Sequence, residues 1–327
     1  MSTVSTTPAP VGVRIGARSA LVLAVASVLG LLLFTWPLLV PLQPGQSQSA
    51  TAPFAFAALL PVIVVLVLVQ VSDGGMDTRA LAMLGVLSAV NAAIRPALGA
   101  GTAGIESVFF TLILAGRAFG PGFGFALGCT SMFASALLTA GVGPWLPFQM
   151  IAAAWIGLGA GLLPGGRRDA RTSAVGSRDL ATFRPDAAAP APERPDPPSD
   201  AGPELARRSV AGKPLPPETH HDGRRRAGLS EVALLVAYGV VASYAFGLLL
   251  NLSFWPTLSP AGSAPAGLDY VPGAPLAENL RRFTVFTLVT STAGWDTGRA
   301  ITTALALAVL GRPVLDVFHR AARRSQL

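Results

Sequence analysis

The stretch from Asn91 to Pro164 most constrains what this chain can fold into. It is apolar enough for a lipid bilayer, yet it carries Arg95, Glu106, Arg117, Trp145 and Gln149 within or beside its apolar runs. An ionised side chain kept in such a run is costly, so each is read as part of a site, a pathway or a subunit contact. Comparable runs recur on both sides of the stretch, continuous over about 18 residues, the length that a bilayer-crossing helix needs. Composition agrees: 51% of the 327 residues are hydrophobic and 13% charged, against about a quarter charged in soluble domains. The alternating pattern of a membrane barrel is absent. An all-α integral membrane protein is expected.

Taken in order, residues 1–18 read as a disordered cytoplasmic tail. Two N-terminal transmembrane helices are expected within 19–72, over about Ser19–Val40 and Phe54–Val71; the first is too long for the apolar part of a signal peptide. Four more are expected within 79–164, over Arg79–Leu98, Ile105–Ala115, Phe123–Ala140 and Pro147–Leu163. Residues 165–230 are rich in Pro, Ala, Asp and Arg without apolar periodicity, which predicts a disordered linker. Two last helices are expected within 231–312, over about Glu231–Leu252 and Phe283–Leu310, with an external loop at 253–281 and a basic tail at 313–327. About eight transmembrane helices place the basic flanks, except Arg281 and Arg282, on the cytoplasmic side with both termini.

Several functions are excluded. The net charge is +7, but the arginines cluster at helix ends and in the linker rather than in a basic, aromatic-interleaved module, which argues against nucleic acid. Cys129 is the only cysteine, and His220, His221 and His319 lie outside the apolar runs, so no metal site is expected. Lys213, the only lysine, stands in no phosphate-binding loop, so the chain has no ATPase of its own. No cofactor is implied, and no reactive set suited to an enzyme appears.

In this topology Arg95, Glu106, Trp145, Gln149, Asn251, Trp255 and Tyr270 fall near external helix ends. Asp296 and Arg299 lie deeper, three apart, where they pair on one helix face. Two readings stand: the pair only neutralises itself, or arginines and Trp145, Trp255 and Trp295 meet a ligand in a mostly apolar site. Glu106 also suits the N-terminus of the fourth helix, where the dipole favours an acid. Gly85, Ala89 and Ala93 line one face of the third helix, as small residues do where membrane helices approach closely.

Ala93-Ile94-Arg95-Pro96, Gly104-Ile105-Glu106, Gly116-Arg117-Ala118-Phe119-Gly120-Pro121 and above all Gly143-Pro144-Trp145-Leu146-Pro147-Phe148-Gln149 resemble the substrate-binding S components of energy-coupling factor (ECF) vitamin transporters, actinobacterial type. Tyr270-Val271-Pro272-Gly273 and Trp295-Asp296-Thr297-Gly298-Arg299 fit the same resemblance. It implies a six-helix core preceded by two additional helices, and capture of a vitamin or related micronutrient at the external face. Arg95, Glu106, Trp145, Gln149, Asn251, Trp255, Trp295, Asp296 and Arg299 would then bind substrate, an acidic or carbonyl-bearing ring such as a pterin, flavin or corrin. It also implies partners: a coupling transmembrane subunit, docked on Gly85, Ala89 and Ala93, and two ATPase subunits. The alternatives are a self-contained secondary transporter or channel using Asp296 and Arg299, or a membrane-embedded enzyme.

Overall fold

In the computed structural model the described residues are 17–39, 63, 65, 76, 78–97, 105–106, 108–164, 219–258 and 267–324, and every regular element among them is helical. They form α1 (Ala17–Phe34), α2 (Trp36–Leu39), α3 (Thr78–Ala97), α4 (Val108–Phe119), α5 (Pro121–Leu138), α6 (Leu146–Leu162), α7 (Thr219–Leu258), α8 (Leu276–Thr287), a π-helical segment (Leu288–Asp296) and α9 (Thr297–Arg324). The bundle comprises Met1–Gly166 and Ser230–Leu327; a second unit, Arg167–Leu229, is described only over its helical end from Thr219. The expected second helix, Phe54–Val71, lies outside the described residues apart from Ile63 and Val65. Pro121–Leu138, Leu229–Pro256 and Leu276–Ala322 are long and apolar enough to cross a membrane, and α4 and α6 are shorter apolar helices.

The short α4 is the axis of the bundle. It is apolar on all sides, as a helix with no face toward solvent should be, and Phe109, Leu112, Ile113, Leu114 and Ala115 are fully buried. Gly120 ends it with φ near 101°, a conformation that L side chains rarely adopt. Pro121 then opens α5 at its first position, where a missing N–H costs nothing.

Glycines set the spacing of α4, α5 and α6. A Cβ on Gly116 or Gly124 would land on the Gly157 carbonyl, and one on Gly128 on the Ala154 backbone. Without hydrophobic drive between helices in lipid, such backbone-level packing supplies the association. Hydrogen bonds add to it: Ser88 and Thr130 hydroxyls meet at 2.6 Å, and Asn91 Nδ2 donates to Ser131 Oγ at 3.2 Å. Together these join α3 to α5.

The N-terminal α1 is built into the same core. Gly30 lies against Trp155 of α6, whose indole N–H donates to Ser27 Oγ at 3.0 Å. Phe34 is buried against Phe148 and Trp155, and the Trp36 indole donates to the Ser253 carbonyl of α7 at 3.1 Å.

The bounds of three expected helices move. α4 begins at Val108 and includes Arg117 instead of ending before it. α7 is 40 residues long, beginning inside the stretch expected to be linker and continuing through Trp255 to Leu258. The last expected helix begins at Leu276, is interrupted by the π segment and runs on to Arg324, through most of the expected basic tail.

Candidate functional site

Four of the sequence-selected residues converge. Glu106, just before α4, accepts from Arg299 Nε of α9 at 2.7 Å and faces Arg95 Nε of α3 at 3.4 Å. Arg299 Nη1 donates in turn to Asp296 Oδ1 at 2.9 Å. Two arginines and two carboxylates therefore balance in one chain of contacts linking α3, the start of α4, the π segment and α9. Their side chains are 21% exposed for Arg95, 14% for Glu106, 11% for Arg299 and 1% for Asp296. Exposure falls steadily from Arg95 to Asp296. Charges this far from water persist only when paired.

The surroundings fix Arg299. Its guanidinium lies 4.9 Å from the Phe246 ring centroid and 5.5 Å from that of Phe109, two rings that pack edge-on at 5.0 Å where α7 meets α4, so the cation rests against an aromatic pair. Asp296 Oδ2 accepts from Ser291 Oγ at 3.0 Å and from Thr292 Oγ1 at 3.4 Å. The Thr302 hydroxyl donates to the Gly298 carbonyl at 2.8 Å, with the Glu106 carbonyl at 3.4 Å. Glu106, expected as a ligand residue and also as an acid suited to the start of the fourth helix, bridges the two arginines.

Among the described residues, none of the remaining candidates forms a hydrogen bond or ion pair with these four charges. Trp255 is buried in α7 rather than standing in a loop; its indole donates to the Leu268 carbonyl at 2.9 Å, and its ring packs on Tyr270 and Phe283. Arg282 and Asn279 of α8 fasten the same loop: Arg282 Nη1 donates to the Gly267 carbonyl, and Asn279 exchanges two bonds with Val271. Trp145 is exposed between α5 and α6 and donates to Gly141 of its own loop. Gln149 is half-buried in the first turn of α6. Asn251 is half-buried on α7, one turn beyond Gly247, and its amide Nδ2 is buried without a hydrogen-bond partner. Trp295 is 42% exposed.

Sequence reasoning missed Phe109, Phe246, Ser291 and Thr292 around the charges, and Gly247, on which the Asp296 carboxylate rests. The signal available was the hydroxyl-rich Thr290-Ser291-Thr292 run just before Trp295-Asp296.

The bundle thus pairs two arginines with two carboxylates in its apolar interior, and the described residues include no group of three or more His, Cys, Asp or Glu side chains poised for a metal. A family model described as "ECF transporter, substrate-specific component" matches residues 79–263, more than half of the 327 residues, and the chain belongs to that family. No curated protein and no solved structure matches it. The chain is thus a substrate-specific transport subunit of the membrane rather than an enzyme. The matched region holds Arg95 and Glu106, whereas their partners Asp296 and Arg299 lie beyond it.

Proposed function

We propose that this subunit captures a vitamin or related micronutrient where Arg95, Glu106, Asp296 and Arg299 meet. It then delivers the solute inward together with a coupling transmembrane subunit and two ATPase subunits. The observation that carries the reading is Arg95. It is the most exposed member of the four, and its contact with Glu106 is the longest of the three ion pairs. A carboxylate or ring carbonyl arriving from the external side exchanges with Glu106 at that guanidinium, whose planar fork suits such acceptors. Trp145, Gln149, Asn251, Trp255 and Trp295 contribute walls and polar contacts at the same end of the bundle. In this reading both termini are cytoplasmic, because the basic flanks gather on that side.

Docking falls to α3. Gly85, Ala89 and Ala93 are exposed along one face, and a Cβ on Gly85 would meet nothing. The opposite face of α3, with Leu84, Ser88 and Asn91, is buried. The exposed stripe therefore remains open to a coupling subunit that approaches at backbone distance.

The test is uptake of radiolabelled vitamins, taken as a panel, in cells that co-express coupling and ATPase subunits. Arg95→Ala is expected to lower uptake of the recognised vitamin at least tenfold at unchanged membrane level, and Gln149→Ala to lower it less. Unchanged kinetics in both variants would remove these residues from the site. Failure of purified protein to bind any member of the panel would remove the vitamin reading.

A further inference from the structure

The π segment is the least ordinary backbone in the bundle. It runs for nine residues, whereas π geometry occurs mostly as single-turn bulges, frequently at functional sites. The local sequence weakens the α alternative, since Val289, Thr290, Thr292 and Gly294 are poor helix formers. That permits the wide turn without holding it.

What holds it lies at its C-terminal end. Thr297 shares its backbone N–H between the Gly294 carbonyl and the Thr292 carbonyl five residues back, and its hydroxyl donates to the latter at 2.6 Å. The Tyr244 hydroxyl of α7 lies 3.1 Å from that of Thr297. Asp296 gives one carboxylate oxygen to Arg299 and the other to the hydroxyls of Ser291 and Thr292. The carboxylate rests directly against Gly247, where any Cβ would overlap it. Tyr244 and Gly247 are three apart and so share a face of α7. That face is shaped to receive the end of a π turn.

We propose that Leu288–Asp296 is a two-position element, held wide by Asp296 seated on Gly247, and that Arg299 links this clasp to the ligand centre. The link rests on the reading of Arg95, Glu106 and Arg299 as that centre. A solute that draws Arg299 toward itself leaves the buried Asp296 with hydroxyl partners alone, and the segment relaxes toward the narrower, longer α form. Such a solute shifts the balance only by its differential affinity for the two forms. Gly247 is a positioning residue in this scheme, because it acts through Asp296 and touches no solute.

The experiment uses the full chain in nanodiscs, with Cys129→Ala and spin labels at Leu280→Cys and Ile301→Cys, exposed positions on either side of the segment. Gly247→Ala, Asp296→Asn and Arg299→Gln are each expected to move most of the pulsed-EPR distance distribution to a longer value. Glu106→Gln, which leaves Arg299 wholly to Asp296, is expected to keep the shorter one. Where a variant fails to fold, Ser291→Ala/Thr292→Val removes only two hydroxyls and is expected to give a partial shift. Unchanged distributions in the folded Gly247→Ala and Ser291→Ala/Thr292→Val proteins overturn the proposal. If uptake falls in Arg95→Ala while the Gly247→Ala distribution stays unchanged, the movable segment is lost and the ligand centre stands.

Discussion

Arg117 and Arg299 look alike in the sequence, each a guanidinium inside an apolar run, and the bundle uses them in opposite ways. Arg117 sends Nη1 to the Leu163 carbonyl at 2.8 Å, Nη2 to the Pro164 carbonyl at 3.2 Å and Nε to Glu231 at 3.0 Å. The carbonyls belong to the C-cap residue of α6 and the residue after it, and a cation there also suits the helix dipole. Arg299 is shared between two carboxylates and two phenyl rings. The two sit at different levels: Arg299 and Phe318, which packs on Phe119 near Arg117, are about 28 Å apart along α9, close to a bilayer core. Arg117, with both terminal nitrogens on main-chain carbonyls and only Nε on a carboxylate, is chiefly a cap. An arginine on carboxylates from separate elements can trade partners.

The largest effect tests that difference directly. Arg117→Met is expected to cost about 3–5 kcal/mol, because it strands buried groups, and to lower sharply the yield of monodisperse protein in size-exclusion chromatography. Adding Glu231→Gln should not restore it, since the carbonyls of Leu163 and Pro164 remain unmet. Arg299→Met/Asp296→Asn, by contrast, should recover most of the stability lost in Arg299→Met, because both members of a pair are removed together. Equal rescue at the two sites would erase the distinction.

A second contrast sets the buried glycines against the exposed one. Gly157→Ala forces a Cβ onto the Gly124 carbonyl and is expected to cost about 1–3 kcal/mol, the usual penalty for overpacking. Gly85→Trp meets open space and should change folding by less than about 0.5 kcal/mol. Together with Ala89→Trp it should nevertheless abolish co-purification with the coupling subunit. Thermal melting reads the first effect and affinity capture the second. Normal assembly of the double tryptophan variant would take the docking face away from α3.

The sequence made part of this legible. Apolar runs located α3, α5 and α6 to within about two residues, because helix-length hydrophobicity is what a bilayer demands. α7 was read short, since hydropathy does not report a helix that continues through His220–Arg226. The charges at Arg95, Glu106, Asp296 and Arg299 stood out by their cost in an apolar run, and the Asp296–Arg299 pair followed from its spacing. The bridge from Glu106 to Arg299 did not, because its partners are 193 residues apart. Nor did the π segment, whose hydroxyl-rich sequence also suits an ordinary bent helix. Trp255 was read as a loop residue because the end of α7 was placed too early.

That tryptophan gives the smallest and most local expectation. The loop after α7 is fastened by neutral and charge-assisted bonds at three points: Trp255 to Leu268, Arg282 to Gly267 and Asn279 to Val271. Trp255→Phe retains ring contacts with Tyr270 and Phe283 while deleting one N–H donor, so it is expected to cost about 1 kcal/mol. Amide exchange over Gly267–Ala274 should then quicken roughly fivefold, the population ratio that such a change allows, with exchange in α4 unaltered. Trp145→Phe deletes a bond made only within its own loop and should leave Gly267–Ala274 untouched. If the Trp255→Phe loop exchanges at the wild-type rate, the remaining two fastenings suffice, and the indole serves packing alone.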